Sequence, residues 1–333
     1  MRRALASFVL LMCSLCHAEA PVRGVSLGLF SEDPGWSYAP LLDEITALHA
    51  TDVALVVPLY QEDVAATVVG YHPRYSPPLA SIRRTIREAH ARHLRVLIFP
   101  IVRLVRTRSA NEWRGTLRPS DRAAWMASYG TRVLELADLA RLEHAESLSI
   151  GSEMSTLDVD RAAWAPLVAR VRARYPGPLT YSGNWDHFEE VALYELVDVA
   201  GVCAYFPLTD HVGAPLPSLD ALQRAWALPR ARLEALAQKV HRRVVVTELG
   251  YRSQPNALFE PYDEGARAPV DALALEAQRL GFASYAAAFS PRPAWLAGEF
   301  VWNWYGWGGP GSRSYTPRGK PAESTVGTLL ERR

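Results

Sequence analysis

Two stretches of this sequence carry strand-forming residues straight into a carboxylate. Val244–Ser253, VVVTELGYRS, delivers Glu248, and Leu148–Ser155, LSIGSEMS, delivers Glu153. Val244, Val245, Val246 and Thr247 are β-branched in a row, the pattern of a strand covered on both faces, and Gly250 breaks the run. A carboxylate at the carboxyl end of a parallel strand points into the crevice where α/β folds bind ligands. One such acid could serve only as an ion-pair partner for an arginine, but a second changes the reading. The two stand 95 residues apart, 248 minus 153. A (β/α)8 barrel of ~250 residues spends ~31 on each strand and helix unit, so three units fit between them. Both acids would then open onto the same end of a barrel, three strands apart.

The rest of the chain keeps that alternation. Val22–Phe30 reads as a first strand, Thr51–Tyr60 as a second and Leu94–Leu104 as a third, with Pro100 near its end. Leu179–Trp185 and Val197–Leu208 give the fifth and sixth, and Phe300–Trp307 the eighth. Helical spacing appears at Leu41–His49, Ile82–His93, Trp125–Leu142, Trp164–Tyr175, between Ala221 and Val240, and at Ala272–Phe289. No repeat or low-complexity linker interrupts it. The expected architecture is an α/β fold, a single (β/α)8 TIM barrel over residues 22–310, followed by a C-terminal tail at 311–333.

Composition excludes several partners. With 49% hydrophobic and 21% charged residues the chain can bury a large core, and a formal charge of +1 supplies no field to recruit nucleic acid or an anionic membrane. Arg2 and Arg3, the apolar run Ala4–Met12 and small residues up to Ala20 have the form of a secretory signal over residues 1–18, cleaved after Ala18. The run is too short to span a membrane. Cys16 raises a lipid anchor as the lesser alternative, since Leu15 stands where a small residue is expected. The expected location is therefore secreted or periplasmic. Removal of the signal leaves Cys203 alone, in an apolar run, as a buried structural thiol. His90 and His93 are spaced for a metal, but on an arginine-rich helix they read as a solvated face; no metal and no cofactor are expected.

Several strand ends carry aromatic, amide or guanidinium groups: Asn184 and Trp185, Tyr205, Tyr251 and Arg252, and Trp302. Aromatic faces cover the apolar face of a pyranose, and amides and guanidinium groups satisfy its hydroxyls. Two carboxylates across such a mouth suit glycoside hydrolysis, with Glu248 as nucleophile, held ionised by Arg252 or a tyrosine hydroxyl, and Glu153 as acid/base. A serine hydrolase is not supported, because Gly151-Ser152-Glu153 lacks the full nucleophile-elbow motif.

LSIGSEMS, LTYSGNWD, GVCAYFPL and VVVTELGYRS, in that order, together with WRGTLRPSDRAAW from Trp113, resemble glycoside hydrolase family 113, within the clan of retaining (β/α)8 glycosidases. The similar motifs run over roughly residues 22 to 308. The resemblance implies endo-β-1,4-mannanase activity, with Glu153 matching the family's acid/base, Glu248 its nucleophile, and Asn184, Trp185, Tyr205 and Trp302 substrate-facing positions. Ser152 departs from the clan, in which an asparagine commonly precedes the acid/base, and FPIVRL lacks an expected histidine. The substrate would be a β-linked oligo- or polysaccharide, taken by a monomer. Two alternatives stand beside that expectation: a hydrolase of the same mechanism on another β-linked glycan, and a non-catalytic glycan-binding barrel.

Overall fold

The computed structural model describes residues 20–265, 267–306 and 308–332. The signal expected over residues 1–18, Cys13 and Cys16 with it, lies outside the described residues, as does Trp307. Eight parallel strands close on themselves in sequence order: β1 (Val22–Gly28), β2 (Asp52–Gln61), β3 (Arg95–Leu104), β4 (Ser147–Ser152), β5 (Leu179–Gly183), β6 (Val199–Cys203), β7 (Val244–Leu249) and β8 (Leu296–Trp304). The closing ladder pairs Val22 with Gly298 and Gly24 with Phe300. This is the (β/α)8 barrel that the alternation predicts.

Side-chain alternation divides the core in two. Along β2, Val53, Leu55 and Val57 face the helices, whereas Ala54 and Val56 join Leu97, Phe99, Val245 and Phe300 inside the barrel. Between the strands lie α1 (Ala39–Ala47), α2 (Leu79–His90), α5 (Leu219–Ala225) and α6 (Ala227–Val240) with the helices that follow here, and residue choice at the turns sets where helices begin. Asp121 starts α3 (Arg122–Leu142) by accepting from the Ala124 amide at 3.0 Å, Asp160 starts α4 (Arg161–Arg172) through Ala163 at 3.1 Å, and Asp271 starts α7 (Ala272–Ala288) through Ala274 at 2.8 Å. The caps on α3 and α4 move those helix starts ahead of Trp125 and Trp164, the first residues that the spacing picks out, whereas α7 starts at Ala272, where the spacing places it.

Three expectations change. The eighth strand begins at Leu296, not Phe300, because Glu299 is accommodated in it by a bidentate pair with Arg292 at 2.7 and 2.9 Å. Pro100 stands in the middle of β3, opposite Val57; the ladder to β4 has ended by Ile98, so the missing N–H is not called on there. Residues 311–333 do not form a mere tail. They carry α8 (Ala322–Glu331), which buries Val326, Leu329 and Leu330 and packs beside α7 and β1.

Candidate active site

Both acids are re-aimed by irregularities in the sheet. Thr247 faces the barrel interior, where its hydroxyl meets that of Ser182, so regular alternation would send Glu248 outward to the helices. The register of β7 shifts between Val246 and Leu249 against β8, and that of β6 between Val202 and Cys203 against β7. Glu248 therefore faces the interior as well, beside Cys203. On β4 the register shifts between Ser149 and Ser152, Gly151 has φ +152° and Glu153 itself has φ +53°. A left-handed glutamate is strained, and here the surroundings hold it. Its amide donates to the Ser182 carbonyl at 2.7 Å, and the next amide, Met154, donates to the Tyr181 hydroxyl at 2.9 Å. Tyr181 in turn donates to Asp158 at 2.8 Å, whose other oxygen lies 3.0 Å from His187 Nε2.

A carboxylate oxygen of Glu153, one of Glu248 and the Cys203 sulfur all lie within 4.8 Å of one another. Both carboxyls are nearly closed off, Glu153 being 3% and Glu248 1% exposed. Tyr205 donates its hydroxyl to Glu248 Oε2 at 2.7 Å, while Glu248 Oε1 has no hydrogen-bond partner among the described residues. Arg114 pairs through Nη2 with Glu153 Oε2. Burial, followed by the charge of Glu153, pushes the Glu248 carboxyl up to about 8, against the lowering effects of Arg114 and Tyr205. Burial also raises Cys203 well above the usual thiol range, with the two acids adding to it, so the thiol stays protonated and is no nucleophile. Glu153, Cys203 and Glu248 are the one group among the described residues with the spacing of metal ligands; a protonated thiol and the guanidinium already on Glu153 work against a cation there.

The remaining sequence-derived positions divide. Tyr205 reaches Glu248, and Trp302 lies in the barrel interior with Tyr205 and Tyr315. Trp185 is at the mouth, stacked on Tyr262 with ring centroids 5.1 Å apart. Asn184 is buried in the adjoining turn, bonding Asp186 at 2.7 Å and accepting from the Trp185 amide at 3.0 Å. Tyr251 is not substrate-facing: its ring turns into the core against Gly281 and Phe282, because Gly281 leaves the space for it. Arg252 directs Nη1 to the Asp263 carbonyl at 3.1 Å, and the guanidinium that meets the acids is that of Arg114. Arg114 sits on a 3-10 turn, Arg114–Thr116, between β3 and α3. Its only sequence signal is its place in WRGTLRPSDRAAW.

Across the mouth from Trp185, the ends of β1, β2, β3 and β8 form a cleft of about 520 Å³ lined by Phe30, Tyr60, His72, Tyr75, Arg103 and Tyr305. His72 and Tyr75 stack at 4.5 Å, and Tyr305 meets Phe30 edge-on at 4.9 Å. Aromatic surfaces thus flank the paired acids on two sides.

The sequence matches the model of Glycoside Hydrolase Family 113 over residues 35–307. No curated protein matches in sequence. Among solved structures, the barrel is similar to the GH113 β-mannanase AaManA from Alicyclobacillus acidocaldarius, with a TM-score of 0.81 and 24% identity over 93% of this chain and 97% of that one. It is similar to a second structure, of a GH113 β-1,4-mannanase, with a TM-score of 0.80 and 19% identity over 94% of this chain and 100% of that one. More distantly, Cel5A of Thermotoga maritima, solved with mannotriose, matches with a TM-score of 0.61 and 13% identity over 92% and 96% of the two chains. These structures share the fold; the family match is what spans both acids, and by it this chain belongs to Glycoside Hydrolase Family 113 and is a glycoside hydrolase.

Proposed function

We propose that the protein is a secreted, retaining endo-β-1,4-mannanase in which Glu248 is the nucleophile and Glu153 the acid/base. The observation that carries this is the approach of the two carboxylates to within 4.8 Å. Retaining enzymes set their carboxyls ~5–5.5 Å apart, whereas inverting enzymes leave ~6.5–9.5 Å for a water between them. In the first step Glu248 attacks the anomeric carbon and the glycosidic bond breaks, its oxygen taking the proton of Glu153. In the second, water gives a proton to Glu153 and attacks the same carbon, freeing Glu248 with net retention. Attack requires Glu248 ionised, so the proton that its burial favours must be on Glu153 when substrate is in place. Tyr205, donating to Oε2, favours that ionised form.

Mannan as substrate is supported by the two GH113 neighbours, a β-mannanase and a β-1,4-mannanase, and endo cleavage by aromatic surfaces on both sides of the acids. Secretion rests on the residue pattern at 1–18; a mature N-terminus other than Glu19 would correct the cleavage site. The deciding experiment follows the anomeric protons of β-1,4-manno-oligosaccharide products by NMR, for the wild type and Glu248→Gln. First-formed β product from the wild type alone supports the reading. First-formed α product, or turnover by Glu248→Gln, overturns it, and cleavage of another β-glycan in place of mannan keeps the mechanism and replaces the substrate.

A further inference from the structure

As they stand, the two acids are almost shut off from solvent. Glu153 is 3% and Glu248 1% exposed, yet a nucleophile and a proton donor must both come within bonding reach of one anomeric centre. The group lying against Glu153 from the mouth side is Arg114, itself 20% exposed in its side chain. It takes Oε2, one of the two oxygens from which Glu153 could donate a proton.

Beyond its ion pair with Glu153, Arg114 has few ties. That pair is its one hydrogen bond among the described residues, among which its buried Nε has no partner, and its guanidinium otherwise lies 5.8 Å from the centre of the Trp113 ring. The turn that carries it is fixed by contrast. The Thr116 amide donates to the Trp113 carbonyl at 2.9 Å, the Trp113 amide donates to the Thr116 hydroxyl at 3.2 Å, and Gly115 is packed so tightly on the Trp113 ring that a Cβ would collide with it. The side chain can therefore change partner while its backbone stays in place. A guanidinium offers five N–H donors in a fork, of which Glu153 uses one here, and sugar hydroxyls readily accept from the rest.

We propose that Arg114 fills the leaving-group side of the site in the free enzyme and passes from Glu153 to hydroxyls of the sugar on that side when a glycan binds. It is thus a positioning and specificity residue, selecting substrates with a sugar beyond the scissile bond. Charged and titratable groups facing it come from each packed element: Glu153 after β4, Cys203 on β6, Glu248 on β7 and Glu264 from the loop after β7. Its departure leaves Glu153 free to donate to the leaving oxygen.

The inference rests on Glu153 being the acid/base, and two substrates separate the claims. One is an aryl β-mannobioside with a good leaving group, which has no sugar on the leaving side and does not need protonation to leave. The other is β-1,4-mannopentaose, which spans the site. Arg114→Gln should raise kcat/KM severalfold on the aryl substrate, since the obstruction is gone. On mannopentaose it should raise KM about tenfold, the size of one charge-assisted hydrogen bond, with a smaller change in kcat. Arg114→Lys, which keeps the charge and loses the fork, should recover part of the mannopentaose KM. Equal losses on both substrates, or no change on either, would overturn the inference and leave Arg114 a structural residue. Glu153→Gln is the control: it should spare kcat/KM on the aryl substrate and abolish turnover of mannopentaose. Equal loss on both, or a wild type that cleaves neither, brings down the acid/base assignment and this inference with it.

Discussion

Glu248 makes this enzyme's stability depend on pH in a direction opposite to that of most acids. Its carboxyl is raised from 4.5 to about 8, first by burial and next by the charge of Glu153. Below pH 4.5 it is protonated in both the folded and the unfolded chain. Between 4.5 and about 8 the unfolded chain gives up that proton while the folded chain keeps it, so stability falls as pH rises; above 8 the loss is complete. The difference of about 3.5 pH units, at about 1.4 kcal/mol each, sets a ceiling of about 5 kcal/mol. Glu248 is essentially unexposed, so solvent does not screen the effect, and with Arg114 and Tyr205 drawing the other way a loss of about 2 to 5 kcal/mol is expected. Glu248→Gln keeps the shape and is neutral at every pH. Urea unfolding of both proteins from about pH 4 to pH 9 should therefore show the glutamine variant gaining on the wild type through this window and running parallel outside it. Parallel curves throughout would refute the burial argument. A variant that loses ground as pH rises would show instead that Arg114 and Tyr205 outweigh burial and hold Glu248 ionised.

Further outcomes follow from single contacts. Tyr205→Phe removes the hydroxyl that favours ionised Glu248, so the acid limb of kcat/KM should move to higher pH and the rate at neutral pH should fall about 10- to 100-fold; an unmoved limb would separate Tyr205 from the proposed role of Glu248. Gly151→Ala puts a Cβ against the Met154 methyl and 2.9 Å from the Tyr129 hydroxyl at φ +152°, and should cost a few kcal/mol in thermal unfolding, where an unchanged Tm would contradict the strain. Lys320, buried near Arg252, is lowered from 10.5 to about 7, so the unfolded chain binds the extra proton between those values and stability rises with pH there. Lys320→Met should flatten that rise in the same urea series, and an unchanged slope would exclude Lys320 as its source.

The barrel was legible because it rests on local signals. Apolar runs such as TDVALVVPLY mark strands with helices on one face and barrel filling on the other, and Asp121, Asp160 and Asp271 stand where caps are expected. The starts of β8 and α8 each turn on a packing partner that the local pattern does not reveal. Glu299 disguises the start of β8 until Arg292 is placed beside it, and α8 looks like a tail until α7 and β1 cover Val326 and Leu329. Neither partner can be found from residue spacing.

The site follows the same division, and it shows why two acids could be found while their environment could not. Glu153 and Glu248 announce themselves by ending strands, although strict alternation would place Glu248 on the wrong face; only the register shifts beside it turn it inward. Tyr251 fails the opposite way, since it follows the same strand and aromatic residues line sugar sites, yet the gap left by Gly281 draws it into the core. Closeness in sequence to Glu248 points to Arg252 as the counter-charge. The counter-charge in the fold is Arg114, more than a hundred residues away, arriving from a turn whose own sequence says nothing of its target. The guanidinium in this site lies against Glu153 and leaves Glu248 to Tyr205. Under the roles proposed above, the free enzyme holds its charges in an order that the reaction must reverse, and binding of a glycan is the event proposed to reverse it.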